Sequence, residues 1–134
     1  MPRIESERNM AKLKLKPVIR LSVVSAKSDS NSQFGPGVAN LCMGVREMGS
    51  LNAAAKSMHM AYSKAWRIMK ETEAALGTQL LNRDGAHGST LTKDGNRILD
   101  AYLETEEYLQ KLAEEEFAKR LGKQSYPPAT FGAV

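Results

Sequence analysis

Residues 50–77 hold two runs of helical periodicity, separated by about one turn and bounded by residues that start or stop helices. That spacing leaves few folds open. Ser50 offers a hydroxyl to the free N–H groups of a first helical turn. Ala53, Ala54 and Ala55 favour helix and leave a thin body that a second helix can approach closely. His59 interrupts the run. A second period begins at Ala61 and continues through Ala65, Ile68, Met69, Thr72 and Leu76, the i, i+3/i+4 spacing of one buried stripe. Gly77 stands where a left-handed C-terminal residue is cheapest, so the second helix should end there. Its other face carries Ser63, Lys64, Arg67 and Lys70. A short helix, a tight turn and a second helix with a basic outer face describe a helix-turn-helix, whose second helix is shaped to enter a major groove.

The flanks frame this pair. From Lys12, alternation places Leu13, Leu15, Ile19, Leu21 and Val23 on one face, the signature of a half-buried strand. Pro17 cannot donate to a ladder and marks an edge, a bulge or a break. Phe34 is placed to close a small hairpin after a turn-rich connection. The strand's lysines are an exposed edge or an extra phosphate contact, and the edge is favoured. Gly35-Pro36-Gly37 opens a helix with Val38, Leu41, Cys42, Val45 and Met48 inward, ending at Gly49. After Gly77, residues 79–83 read as a short strand and Leu91 as its return, with a glycine-containing loop between them, in other words a wing.

Thr92 caps a last helix, with Asp94 complementing its dipole. Ile98, Leu99, Tyr102, Leu103, Leu109, Leu112, Phe117 and Leu121 line one stripe. The pairs Glu107 with Lys111, Glu115 with Lys119 and Glu116 with Arg120 add tenths of a kcal/mol each. A helix over residues 93–121 outruns a three-helix core, so its remaining apolar length implies a partner, most simply its twin in a homodimer. The expected architecture is mainly α with small β hairpins: a winged helix-turn-helix over 12–121, with an N-terminal strand or hairpin and a long dimerisation helix. Residues 1–11 and 122–134 are expected to be flexible tails, with Tyr126 and Phe131 able to dock on the dimer.

Charge divides along the chain. Residues 1–97 hold 15 Lys and Arg against 8 Asp and Glu, whereas 98–134 hold 4 against 7, so the front suits an anion and the back does not. No apolar run reaches membrane-spanning length and the first ten residues lack a signal-peptide core, which implies a soluble cytoplasmic protein without a membrane partner. Cys42 is the sole cysteine, in an apolar helical run, and reads as a buried structural thiol.

Several motifs together resemble a known family. Phe34-Gly35-Pro36-Gly37, Gly49-Ser50-Leu51 with Ala53-Ala54-Ala55, and Ala61-Tyr62 with Ala65-Trp66 stand in that order. Leu80-Leu81-Asn82-Arg83, Leu91-Thr92 and Gly95 follow. The set resembles the N-terminal winged-helix domain of ModE-type molybdenum-dependent regulators and, more distantly, the DNA-binding domain of LysR-type regulators. The resemblance covers about residues 12–120 and implies a homodimeric DNA-binding protein acting in transcription. Here the wing loop, Asp84 to Thr90, is shorter than the ModE one. ModE proteins carry oxyanion-binding modules beyond this domain, and no molybdate site is expected within these residues.

The candidate DNA-binding residues are Ser50, Tyr62, Ser63, Lys64, Arg67, Lys70, Arg83, His87 and Ser89. Arg67 suits a bidentate pair with guanine, and Lys64 suits guanine or phosphate. Tyr62 either meets the sugar-phosphate backbone or pads the turn. Ser50 joins its capping role to a possible phosphate contact. The wing lies along the DNA backbone or is an ordinary surface hairpin. Trp66, one position round from the groove side, is expected to pack on the wing or the first helix. His59 and His87 have no neighbours at metal-ligand spacing, and no cofactor is expected. Neither a nucleophile with its base nor a credible pair of catalytic carboxylates emerges, so an enzyme is a poor reading. The rival class is a winged-helix module for protein interaction or assembly, without sequence-specific DNA binding.

Overall fold

A computed structural model describes residues 14–27, 33–83 and 88–124. The tail at 1–11, the strand positions Lys12 and Leu13, His87 with most of the wing loop, and the tail residues Tyr126 and Phe131 lie outside these described residues. The elements in order are α1 (Pro36–Met48), α2 (Leu51–Ser57), α3 (Tyr62–Leu76), β1 (Leu81–Arg83), β2 (Ser89–Leu91) and α4 (Lys93–Gly122). Two compact units share them, one spanning Arg20–Glu106 and the other made of Met1–Ile19 with Glu107–Val134.

Within Arg20–Glu106, each helix boundary has a local cause. Pro36 sits in the first turn of α1, and Gly49 ends it in the left-handed region at φ 77°. Ser50 caps α2, its Oγ accepting from Ala53 N–H at 2.9 Å. His59 takes a positive φ of 55° in the turn to α3, a conformation that a short polar side chain tolerates better than a branched one. Gly77, at φ 72°, ends α3. Thr92 Oγ1 accepts from Gly95 N–H at 2.8 Å and caps α4.

The helices enclose one apolar core. Phe34, Leu41, Cys42, Ala54, Ala55, Ala65, Leu80 and Leu99 are fully buried in it, and Val45, Leu51, Met69, Leu81 and Tyr102 are nearly so. Phe34 meets Tyr102 edge-on, with ring centroids 5.3 Å apart. Helix α1 packs against α2, α3 and β2. At its crossing with α2, a Cβ on Gly44 would stand 2.5 Å from Ala54 Cβ and 3.1 Å from its Cα, so only glycine permits this approach. The hairpin is antiparallel, with Leu81 opposite Leu91 and Arg83 opposite Ser89. Arg46 reaches from α1 to α4, donating to Asn96 Oδ1 at 2.8 Å and pairing with Asp100 at 2.9 Å.

Three expectations change. Among the described residues, 14–22 form no strand, and Val23 makes one isolated antiparallel bridge with Phe34. Side chains of α4 take up its backbone instead. Tyr102 Oη donates to Leu21 O at 2.8 Å. In the other unit, Gln110 Oε1 accepts from Ile19 N–H at 2.9 Å while its Nε2 donates to Pro17 O at 2.8 Å. Among the described residues no second strand stands beside this segment, and Leu15 and Val23, expected on its buried face, are exposed. Met48 is 47 % exposed, because the last residue of α1 has turned past the core. Ala61 is likewise exposed: it is the N-cap of α3 and precedes the buried stripe, which begins at Ala65.

Helix α4 changes character along its length. Its buried residues are Gly95, Leu99 and Tyr102, all in the first third. Beyond Leu103, Tyr108, Leu112 and Phe117 are exposed, and Leu109 and Leu121 are half-buried.

Candidate nucleic-acid interface

Helix α3 separates its residues cleanly. Ala65, Met69, Thr72 and Ala75 face the core. Thr72, the buried polar member, donates its hydroxyl to Ile68 O at 2.8 Å and so remains satisfied. Tyr62, Ser63, Lys64, Arg67 and Lys70 are exposed. No side chain caps the helix at Ala61. Its first turn therefore offers backbone N–H groups beside Ser63 and Lys64, where an anion is favoured by the helix dipole. An exposed guanidinium and ammonium one turn apart, on a helix whose opposite face is locked in the core, form a rigid cationic edge.

Lys70 differs from Lys64 and Arg67. Its Nζ lies 5.2 Å from the centroid of the Trp66 ring and 3.7 Å from Glu73 Oε1. A cation over an aromatic face is held by the ring's quadrupole. Trp66 itself is half-buried and packs against the core. Lys70 thus spreads along the helix rather than projecting from it.

The residues expected at the wing divide too. Ser89 faces inward: its N–H donates to Gly49 O at 2.9 Å, and its Oγ accepts from Leu51 N–H at 3.4 Å. Ser89 therefore fastens β2 to the turn between α1 and α2, beside the Ser50 cap. Gly88, at φ 131°, packs its Cα onto Gly49 O, and a side chain would collide there. Arg83 ends β1. The structure thus brings Ser63, Lys64 and Arg67 together on one edge, leaves Tyr62 exposed at the first position of α3, and places Ser50 and Ser89 at a second junction.

Sequence reasoning missed Glu73. Its side chain is 10 % exposed. Oε2 accepts from the N–H groups of Leu80 at 2.7 Å and Leu81 at 3.0 Å, while its main-chain O accepts from Gly77 and Thr78 N–H. The available signal was a carboxylate one turn before a helix-ending glycine that is followed closely by two buried leucines.

Electrostatics set Cys42 apart from any site. Burial raises its thiol from an ordinary 9.0 to about 12, against a smaller lowering by Arg46. A thiol held in that form is a poor nucleophile and a poor ligand. Among the described residues, no group of three or more His, Cys, Asp or Glu side chains is arranged to hold a metal ion. None of the described helices is long and apolar enough to cross a membrane.

Comparison with known proteins identifies the arrangement. Residues 40–96 match the family model described as the bacterial regulatory helix-turn-helix protein, LysR family. The CbnR DNA-binding domain, solved as a complex with DNA, is 29 % identical over 61 % of this chain and 93 % of its own, with a TM-score of 0.53. CbnR itself, a LysR family transcriptional regulator, is 30 % identical over 60 % of this chain, with a TM-score of 0.49, and the match spans 27 % of its length. No match was found among curated proteins. Residues 40–96 are thus similar to a LysR-family helix-turn-helix, and the winged-helix fold is similar to that of the CbnR DNA-binding domain.

Proposed function

We propose that this protein is a sequence-specific DNA-binding transcriptional regulator that inserts α3 into the major groove of double-stranded DNA. The observation that carries the reading is the exposed edge formed by Ser63, Lys64 and Arg67, opposite the buried Ala65, Met69 and Thr72, in a fold similar to a domain solved on DNA. Arg67 and Lys64 reach base edges or phosphates, Ser63 and Tyr62 meet the backbone, and Ser50 adds a phosphate contact while Ser89 braces the start of α2 from within. Lys70, Arg83 and His87 complete the set of candidate DNA contacts.

The working unit is residues 12–121, acting as a homodimer through 93–121 so that two copies of α3 enter successive major grooves of a pseudo-palindrome. The exposed Tyr108, Leu112 and Phe117 on the distal part of α4 support that pairing. A closer affinity to ModE-type regulators rests on the Gly35-Pro36-Gly37, Gly49-Ser50 and Tyr62-x-x-Ala65-Trp66 motifs.

A salt titration with duplex DNA tests the reading. Phosphate contacts release counterions, so affinity should fall linearly on a log–log plot as salt rises. Binding indifferent to salt, or no binding, would favour the protein-interaction module instead.

A further inference from the structure

We propose that Glu73 is a positioning residue that fixes the wing against α3, so that the two elements meeting DNA in the reading above, on which this inference rests, move as one body. Three observations converge on this residue. Its carboxylate takes both N–H groups at the entrance to β1, those of Leu80 and Leu81. The side chains of these leucines are buried, so their amides have little access to water, and an unpaired amide there would be costly. The main-chain O of Glu73 takes Gly77 and Thr78 N–H, so one residue both ends α3 and begins the wing. The second carboxylate oxygen lies 3.7 Å from Lys70 Nζ, which rests over Trp66.

The root of the hairpin is held from its other strand as well. Thr92 N–H donates to Leu80 O at 2.9 Å, and Thr92 Oγ1 donates to Gln79 O. Ser89 ties β2 to Gly49 and Leu51. Only Glu73 among these connections comes from α3 itself. Without its carboxylate the wing keeps its ties to α2, α4 and the shared core but loses, among the described residues, the side-chain hydrogen bonds that join its root to the reading helix.

The test compares Glu73→Gln, whose amide oxygen still accepts from both N–H groups, with Glu73→Ala. Amide exchange at Leu80 and Leu81, followed by NMR without DNA, should stay slow in the wild type and Glu73→Gln. It should quicken about tenfold or more in Glu73→Ala. On a full-length operator duplex selected with the wild type, Glu73→Ala should bind about tenfold more weakly, and Glu73→Gln within about threefold of wild type. On a duplex trimmed to the bases beneath α3, both variants should match the wild type. Unchanged exchange in Glu73→Ala, an equal loss on both duplexes, or a Glu73→Gln as impaired as Glu73→Ala would each overturn the proposal. If Glu73→Ala does not fold, Glu73→Asp, one methylene short of the two amides, takes its place. A wild type that binds neither duplex defeats the DNA reading alone, and the exchange data still decide whether Glu73 holds the wing.

Discussion

The two ends of α4 are built from the same helix but stand in different chemical surroundings. Its first third lays Leu99 and Tyr102 into a core with Phe34, Leu41 and Leu80, and its beginning is fixed by the Thr92 cap. Its distal part has no fully buried residue, exposes Tyr108, Leu112 and Phe117, and holds residues 17–19 through the Gln110 amide. Apolar burial sustains the first region. Hydrogen bonds and i, i+4 ion pairs sustain the second, and such pairs contribute little when exposed. A helix does not need a uniform environment along its length, and the part left uncovered is where a partner has something to gain.

The sharpest test of that contrast compares two leucines. Leu41→Ala, in the core, should lower stability by about 2–5 kcal/mol in denaturant unfolding. Leu112→Ala, at 43 % exposure, should lower it by less than about 1 kcal/mol in a monomer. An equal cost at both sites would show that the distal part is covered in solution, as in the proposed dimer.

The second test concerns alkaline pH. Burial raises the Cys42 thiol to about 12, and burial with the neighbouring Glu106 carboxylate raises the Tyr102 phenol. In both cases the folded form holds its proton longer than the unfolded one. Stability is therefore complete below the ordinary values and declines as pH rises from 9.0 for Cys42 and from 10.0 for Tyr102. For Cys42 the slope reaches up to about 1.4 kcal/mol per pH unit. Cys42→Ala should flatten the first part of the decline, and an unaltered slope would remove Cys42 from the account.

DNA affinity should divide the molecule in the same way. Arg67→Ala, on the exposed edge of α3, should lose about 1–3 kcal/mol of binding if it reads a guanine, while Arg120→Ala, on distal α4, should leave binding unchanged. Measured by titration at fixed salt, an equal loss in the two variants would mean diffuse charge attraction instead of base reading. The smallest effect belongs to Lys111→Ala. Its pair with Glu107, at 3.5 Å and nearly three-quarters exposed, should contribute only about 0.3–0.5 kcal/mol to the unfolding free energy.

Much of this architecture was legible because its signals are local. Ser50, Gly49, Gly77 and Thr92 mark helix ends through groups within four residues, and all four act where their chemistry predicted. The buried stripe from Ala65 to Leu76 and the exposed Ser63, Lys64 and Arg67 follow from one helical period. What was not legible depended on partners distant in sequence. The alternating segment before Val23 read as a strand, but its described hydrogen-bond partners are the Gln110 and Tyr102 side chains, far along the chain. Ser89 looked like an outward wing hydroxyl until Gly49 and Leu51 turned out to lie beneath it. Glu73 shares the exposed-helix composition of its neighbours, and only the chain's reversal after Gly77 brings Leu80 and Leu81 back to its carboxylate.

The contact between Gly44 and Ala54 bears on how this protein can diverge. Helix α2 carries the Ser50 cap at one end and leads into the turn before α3 at the other. A single methyl group at position 44 would push against the Cα and Cβ of Ala54 and shift α2 with its attachments. The exposed residues of α3 can change one at a time and alter what is read. Position 44 has no such freedom, because even the smallest added side chain there would displace the reader itself. Lineages of this protein should therefore explore new operators through Ser63, Lys64 and Arg67 while the hydrogen atom at Gly44 stays in place.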